Sequence, residues 1–143
     1  MSVPKKAIIV EDHPDIADLL EIILGIDEYQ VVKIHSSTGA LSVIRAENPD
    51  VVLLDIMMPD VSGLEVLRFM RREPELQKTP VVIVSAKTLP ADIRTGFEAG
   101  ATAYLTKPID MEKLRETVAQ VIREAEKRDA HPKTDDEKES KTE

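Results

Sequence analysis

Glu11, Asp12, Asp55, Ser85 and Lys107 are residues whose types, taken together, could do chemistry. Three carboxylates crowded at one place repel one another, and burial penalises their charged forms, so such a cluster is costly unless a cation neutralises it. Oxygen donors without cysteine or a histidine cluster select a hard ion, Mg2+ or Mn2+, which keeps part of its water shell. A carboxylate beside such an ion can attack phosphorus and form an acyl phosphate. The ion and the Lys107 ammonium would neutralise charge on the transferred phosphoryl group, and the Ser85 hydroxyl would donate to one of its oxygens.

This chemistry needs convergence, and the elements of the sequence supply it. Ala7-Ile8-Ile9-Val10, Val31-Val32-Lys33-Ile34, Val51-Val52-Leu53-Leu54, Val81-Val82-Ile83-Val84 and Tyr104-Leu105-Thr106 read as five short strands. The third is apolar on both faces, as a central parallel strand must be; the second is partly exposed. Helical stripes follow each strand, among them Ile16, Leu19, Leu20, Ile23 and Leu24, then Ala40, Leu41 and Ile44, and last Met111, Leu114, Val118, Val121 and Ile122. Ser62-Gly63-Leu64-Glu65 has the form of a reciprocal capping box opening the third helix. Pro90 suits the first turn of the fourth, and Gly100 its stop. Alternation of this kind gives an α/β fold, a parallel sheet with helices on both faces. In such a sheet function gathers at the carboxyl ends of the strands. Those ends carry Glu11-Asp12, Asp55, Ser85 and Thr106-Lys107-Pro108.

Composition removes other classes. The chain has 143 residues, no cysteine and a net charge of -8. Disulfides and thiol chemistry are therefore out, and an acidic surface with 3% aromatic residues offers nothing to nucleic acid as a direct partner. No leader or spanning segment is evident at the start, so a cytoplasmic protein without membrane attachment is expected. Residues 1–125 are read as the folded domain. Residues 126–143 hold five Lys/Arg and seven Asp/Glu with nothing apolar beyond Ala130, and are expected to form a charged tail, disordered beyond about Ala130. His13 lies beside the acidic cluster and is expected as an exposed loop imidazole; His35 and His131 have no evident partners. Singly, an Asp after a strand is usually a turn or cap residue, and Ser85 or Lys107 could be ordinary surface groups. Jointly, five such residues at successive strand ends outweigh those readings.

The same residues resemble the receiver domain of two-component response regulators, the chemotaxis-regulator-like single-domain type. The motifs carrying the resemblance are Ile8-Ile9-Val10-Glu11-Asp12, Leu53-Leu54-Asp55-Ile56-Met57-Met58-Pro59, Ser62-Gly63-Leu64-Glu65, Val82-Ile83-Val84-Ser85-Ala86 and Ala103-Tyr104-Leu105-Thr106-Lys107-Pro108. They cover residues 5 to about 125 in order. The resemblance implies a flavodoxin-like, doubly wound sheet of order 2-1-3-4-5 with five helices. It implies Asp55 as phospho-acceptor from a histidine kinase, a phosphotransfer protein or a small phosphodonor, with Mg2+ as cofactor. Asp12 would bind the metal directly, Glu11 mainly through water, and Asp55 and the Met57 carbonyl would complete the protein's share. Ser85 and Tyr104 stand at the switch positions, Lys107 at the family's lysine, and the Lys107-Pro108 bond is expected to be cis. The acidic pair is Glu-Asp where Asp-Asp is commoner, and Lys87 occupies a variable position that tunes phosphate lifetime.

The expected function is a phospho-acceptor switch, not an enzyme beyond its own phosphorylation and dephosphorylation. Its signal would pass to a downstream protein, or to a second copy as a phosphorylation-dependent homodimer, through the surface of the fourth helix, fifth strand and fifth helix. The alternative is the receiver part of a longer DNA-binding regulator or hybrid histidine kinase. A haloacid-dehalogenase-type hydrolase would want an Asp where Met57 stands, and a flavin module a phosphate-cradling loop where Glu11-Asp12-His13-Pro14 stands.

Overall fold

A computed structural model describes residues 3–130. The elements run β1 (Lys6–Val10), α1 (Pro14–Ile26), β2 (Gln30–Ile34), α2 (Ala40–Glu47), β3 (Val51–Leu54), α3 (Gly63–Arg72), β4 (Val81–Ser85), α4 (Pro90–Glu98), β5 (Ala103–Thr106) and α5 (Met111–Ala130). The strands form one parallel sheet in the order β2-β1-β3-β4-β5. That is the expected doubly wound order, with the reversal at β1 and β3. α5 continues to Ala130, past the change in composition at 126, while residues 131–143, including His131 and the charged end of the tail, lie outside the described residues.

Strand alternation sorts the core into two layers. Ala7, Ile9, Val51, Leu53, Val82 and Val84 point to the side covered by α1 and α5, where Leu20, Leu24, Leu114 and Val118 meet them. Ile8, Val10, Val52, Leu54, Val81 and Ile83 point the other way, toward Ile44, Leu67 and Met70 of α2 and α3. Every residue of β3 is buried, whereas β2, at the sheet edge, is only half-buried along most of its length. The apolar runs were legible because a strand covered on both faces has no polar position.

Two details depart from expectation. Ser62 does cap α3, its Oγ accepting from the Leu64 N–H at 3.2 Å, but Glu65 turns outward to Arg68 at 2.6 Å, so the capping box is half made. His35 does have a partner: its Nδ1 lies 3.2 Å from the Glu11 carbonyl oxygen. Pro90 and Gly100 sit where expected, the latter at φ +116° just after α4. The Lys107-Pro108 bond is cis, as the resemblance implied. Among the described residues no helix is long and apolar enough to cross a membrane.

Candidate phosphoryl-acceptor and metal site

The strand ends are drawn together by the sheet's own hydrogen bonds. Just beyond the strands, the Glu11 N–H donates to the Ile34 carbonyl at 2.9 Å, the Asp55 N–H to Val10 at 2.9 Å, and the Lys107 N–H to Ser85 at 2.8 Å. The ladder thus runs one residue past the regular strands and fixes the backbone of Glu11, Asp55 and Lys107. Glu11 and Asp55 are 1% and 3% exposed, and Ser85 is fully buried.

Lys107 reaches across from β5 and places its Nζ 2.8 Å from Glu11 Oε1 and 3.2 Å from Asp55 Oδ2. Asp55 Oδ1 accepts from the Met57 N–H at 2.9 Å, so each acceptor oxygen has one donor. The Met57 side chain is half exposed, while Met58 is buried in the core layer of α2 and α3. Burial pushes the Glu11 carboxyl above the ordinary glutamate range; the Lys107 hydrogen bond opposes this and Asp55 reinforces it. For Lys107, burial alone would lower the ammonium's pKa, but the Glu11 hydrogen bond and the Asp55 charge outweigh it and hold the value above that of an ordinary lysine.

Asp12 behaves differently. Its Oδ1 is buried and has no hydrogen-bond partner. An orphaned carboxylate oxygen is expensive unless something positive completes it. Glu11, Asp12, His13 and Asp55 each offer one ligand atom, all within 4.8 Å of one another. A mainly oxygen donor set of this size fits a hexacoordinate divalent cation that keeps some of its waters. The site therefore fits the metal read from the sequence, and the structure adds His13 to the group.

Ser85 and Tyr104 share one neighbour, Lys87. Ser85 Oγ accepts from the Lys87 N–H at 3.1 Å, and the Tyr104 hydroxyl donates to the Lys87 carbonyl at 2.8 Å. The Tyr104 ring lies over Gly96 of α4, where a Cβ would come within 2.9 Å of Cδ2. A movement of the β4–α4 loop that displaced Lys87 would be felt by both side chains.

One contact beside the site escaped the sequence analysis. Asp60, in the loop after β3, accepts from the Thr38 N–H at 2.8 Å, Thr38 Oγ1 at 2.6 Å and Ser37 Oγ at 2.8 Å. The two hydroxyls and that amide hold its carboxyl well below the usual carboxylate range. This ties the loop after β2 to the loop carrying Met57. Its only signal was an acid facing a Ser-Ser-Thr run more than twenty residues away, which no local pattern reveals.

The response regulator receiver domain family model matches residues 7–119. This chain is a member of the response regulator receiver family. Relatives include the polar-differentiation response regulator DivK of Brucella anthropi, 32% identical over 122 residues that make up 85% of this chain and 99% of DivK. Response regulator ArlR of Staphylococcus haemolyticus is 35% identical over 122 residues, again 85% of this chain, but the match spans only 54% of ArlR's length. In structure, the CheY-like receiver domain protein of Methanospirillum hungatei superposes with a TM-score of 0.81 at 27% identity, covering 87% of this chain and 98% of that one. The receiver fold and two-component membership are thus established, and the acidic pocket lies at the strand ends where the fold places its site.

Proposed function

We propose that this receiver is a phospho-acceptor switch in which Asp55 takes a phosphoryl group from a histidine kinase, a phosphotransfer protein or a small phosphodonor. The observation that carries it is the placement of Asp55, buried, anchored by the Met57 N–H and the Lys107 ammonium, within reach of Asp12's orphaned oxygen. In the transfer an Asp55 carboxylate oxygen forms the new bond to phosphorus while the donor's P–N or P–O bond breaks and its electron pair leaves with the donor. Lys107 holds positive charge against the phosphoryl oxygens, and the Ser85 hydroxyl donates to one of them. Asp12, Glu11, Asp55 and the Met57 carbonyl would hold Mg2+, whose chemistry is to neutralise charge on the transferred group. The chain's own role is otherwise regulatory rather than enzymatic.

The product carries nearly two negative charges and new acceptor oxygens beside Ser85. Drawing Ser85 toward them pulls on the Lys87 N–H, and Lys87's carbonyl is what the Tyr104 hydroxyl holds. The surface of α4, β5 and α5 then changes, and a protein partner or second copy that prefers the changed surface stabilises phosphorylation in return. The half-length match to ArlR keeps the second reading in view, in which this receiver governs a further output domain.

Intact-protein mass after incubation with acetyl phosphate and Mg2+ tests the reading. One added phosphoryl group is expected, abolished by Asp55→Asn and by EDTA. An adduct that survives Asp55→Asn would place the acceptor elsewhere; no adduct with any donor would end the switch.

The pH dependence of cation binding follows from Glu11. With its folded pKa raised above the ordinary value of 4.5, the metal-free fold takes up this proton more readily than the unfolded chain. Its contribution to stability is therefore present at low pH and is lost as pH rises from 4.5 to the raised value. Cation binding runs the opposite way, because a protonated Glu11 loses its negative charge. Calorimetric Mg2+ affinity is expected to fall as pH is lowered through the raised Glu11 value, before ordinary carboxylates titrate. Glu11→Gln should lower the affinity at the high-pH end and flatten that fall. An unchanged slope in the variant would remove Glu11 as its cause.

A further inference from the structure

His13 enters the acidic site against two carboxylates at once, hydrogen-bonding to one and facing the other. Its ring Nδ1 lies 3.3 Å from Asp12 Oδ1 and 3.3 Å from Glu11 Oε2. The Asp12 oxygen nevertheless has no hydrogen-bond partner, so the two atoms face the same space without bonding to each other. Glu11 divides its oxygens: Oε1 accepts from Lys107 at 2.8 Å, and Oε2 accepts from the His13 backbone N–H at 3.2 Å and meets the ring Nδ1 at 3.3 Å. Neighbouring ligands of a hexacoordinate ion with bonds of about 2.1 Å stand about 3.0 Å apart, and opposite ligands about 4.2 Å. The pairs at 3.3 Å and the overall span within 4.8 Å have the spacing of ligands around one cation.

The His13 backbone is held by Glu11 and by the first turn of α1, and its ring carries no bond beyond the acidic pair among the described residues. It occupies the N-cap of α1, yet its side chain makes no capping bond, and α1 is started by Pro14 instead. The side chain is 65% exposed, so the ring can adjust toward an ion without repacking the core.

We propose that His13 is a nitrogen ligand of the divalent-cation site, and that this chain therefore favours first-row transition ions, Co2+ most and the harder Mn2+ less, over Mg2+ more strongly than its carboxylates alone would. Imidazole adds little for Mg2+, which prefers oxygen and gives up water reluctantly, but it adds affinity for later divalent ions. The proposal rests on the metal site proposed above and names the residue that sets its selectivity.

The test is calorimetric titration of the full chain with Mg2+, Mn2+ and Co2+, for the parent, His13→Ala and Asp12→Asn. Pulsed electron paramagnetic resonance of bound Mn2+ is read alongside. His13→Ala is expected to lower Co2+ affinity about tenfold or more and Mn2+ affinity by a smaller factor, while leaving Mg2+ within about twofold. A nitrogen coupling to bound Mn2+ should be present in the parent and lost in the variant. Asp12→Asn should weaken all three ions. Equal loss for every ion, no loss, or no nitrogen coupling in the parent would overturn the role of His13 while leaving the carboxylate site intact. Failure of the parent to bind any of the ions would overturn the site and His13 together.

Discussion

Replacing Lys107 by alanine is expected to remove about 3–5 kcal/mol of stability from the metal-free protein at neutral pH. An exposed lysine–carboxylate pair contributes about 1 kcal/mol at most, because water replaces the partner. Here the two acids are 1% and 3% exposed, and Lys107 is the cation between them at 2.8 and 3.2 Å. Truncation leaves two buried carboxylates facing each other. The fold has one inexpensive escape, protonation of Glu11, whose pKa already lies above the ordinary range and would rise further without the ammonium. The loss should therefore be smaller at about pH 5 than at about pH 7.5, since the proton that relieves the repulsion is available at the lower value. Urea denaturation at both pH values checks the size and the sign. Adding Glu11→Gln to Lys107→Ala should recover much of the loss, because a neutral amide removes the unpaired charge. A cost below about 1 kcal/mol, equal at both pH values, would mean that water already screens the triad.

The strands and the five residues at their ends could be read from the sequence because both follow from local pattern. An apolar run such as Val51-Val52-Leu53-Leu54 has no reading except burial on both faces, and Asp55 at its end inherits its position from the sheet. Lys107 could be placed for the same reason. The contacts that join one loop to another were not readable. The Asp60 bonds to Ser37 and Thr38 depend on how two loops are folded against each other. So does the His35 contact with the Glu11 carbonyl. Glu65 illustrates the converse: the sequence pattern of a capping box was present, but Arg68 one turn along competes for the same carboxylate. His13 shows both limits at once. Its exposure was expected, yet its ring nitrogen stands between two carboxylates whose side-chain directions no spacing rule supplies.

The position of Asp55, the proposed acceptor, is exposed to a single substitution at Gly63. Sequence alone marks it as an unremarkable first residue of α3, and Gly→Ala inside a helix would ordinarily gain up to about 1 kcal/mol. The structure reverses the sign. A Cβ at Gly63 would lie 2.3 Å from the Asp55 carbonyl oxygen and 2.8 Å from Ile56 Cα. Both are backbone atoms at the end of a fully buried strand, and the Gly63 N–H is itself donated to the Ile56 carbonyl at 3.3 Å. No side-chain rotation can relieve that approach, so either α3 backs away from the sheet or Asp55 moves. Gly63→Ala is expected to cost about 3 kcal/mol, the upper part of the usual range for overpacking. Phosphoryl uptake from acetyl phosphate should slow as well, even where the variant is fully folded, because the displaced peptide carries Asp55, the proposed acceptor. Ser62→Ala provides the comparison: it removes the bond from the Leu64 N–H, a long bond to the Ile56 carbonyl at 3.4 Å and about 1 kcal/mol of capping, yet keeps the Gly63 N–H on that carbonyl and adds nothing between α3 and Asp55. It should weaken the fold without slowing uptake in the folded state. If Gly63→Ala instead matched the parent in both stability and rate, the close approach of α3 to Asp55 would have no role in positioning the acceptor.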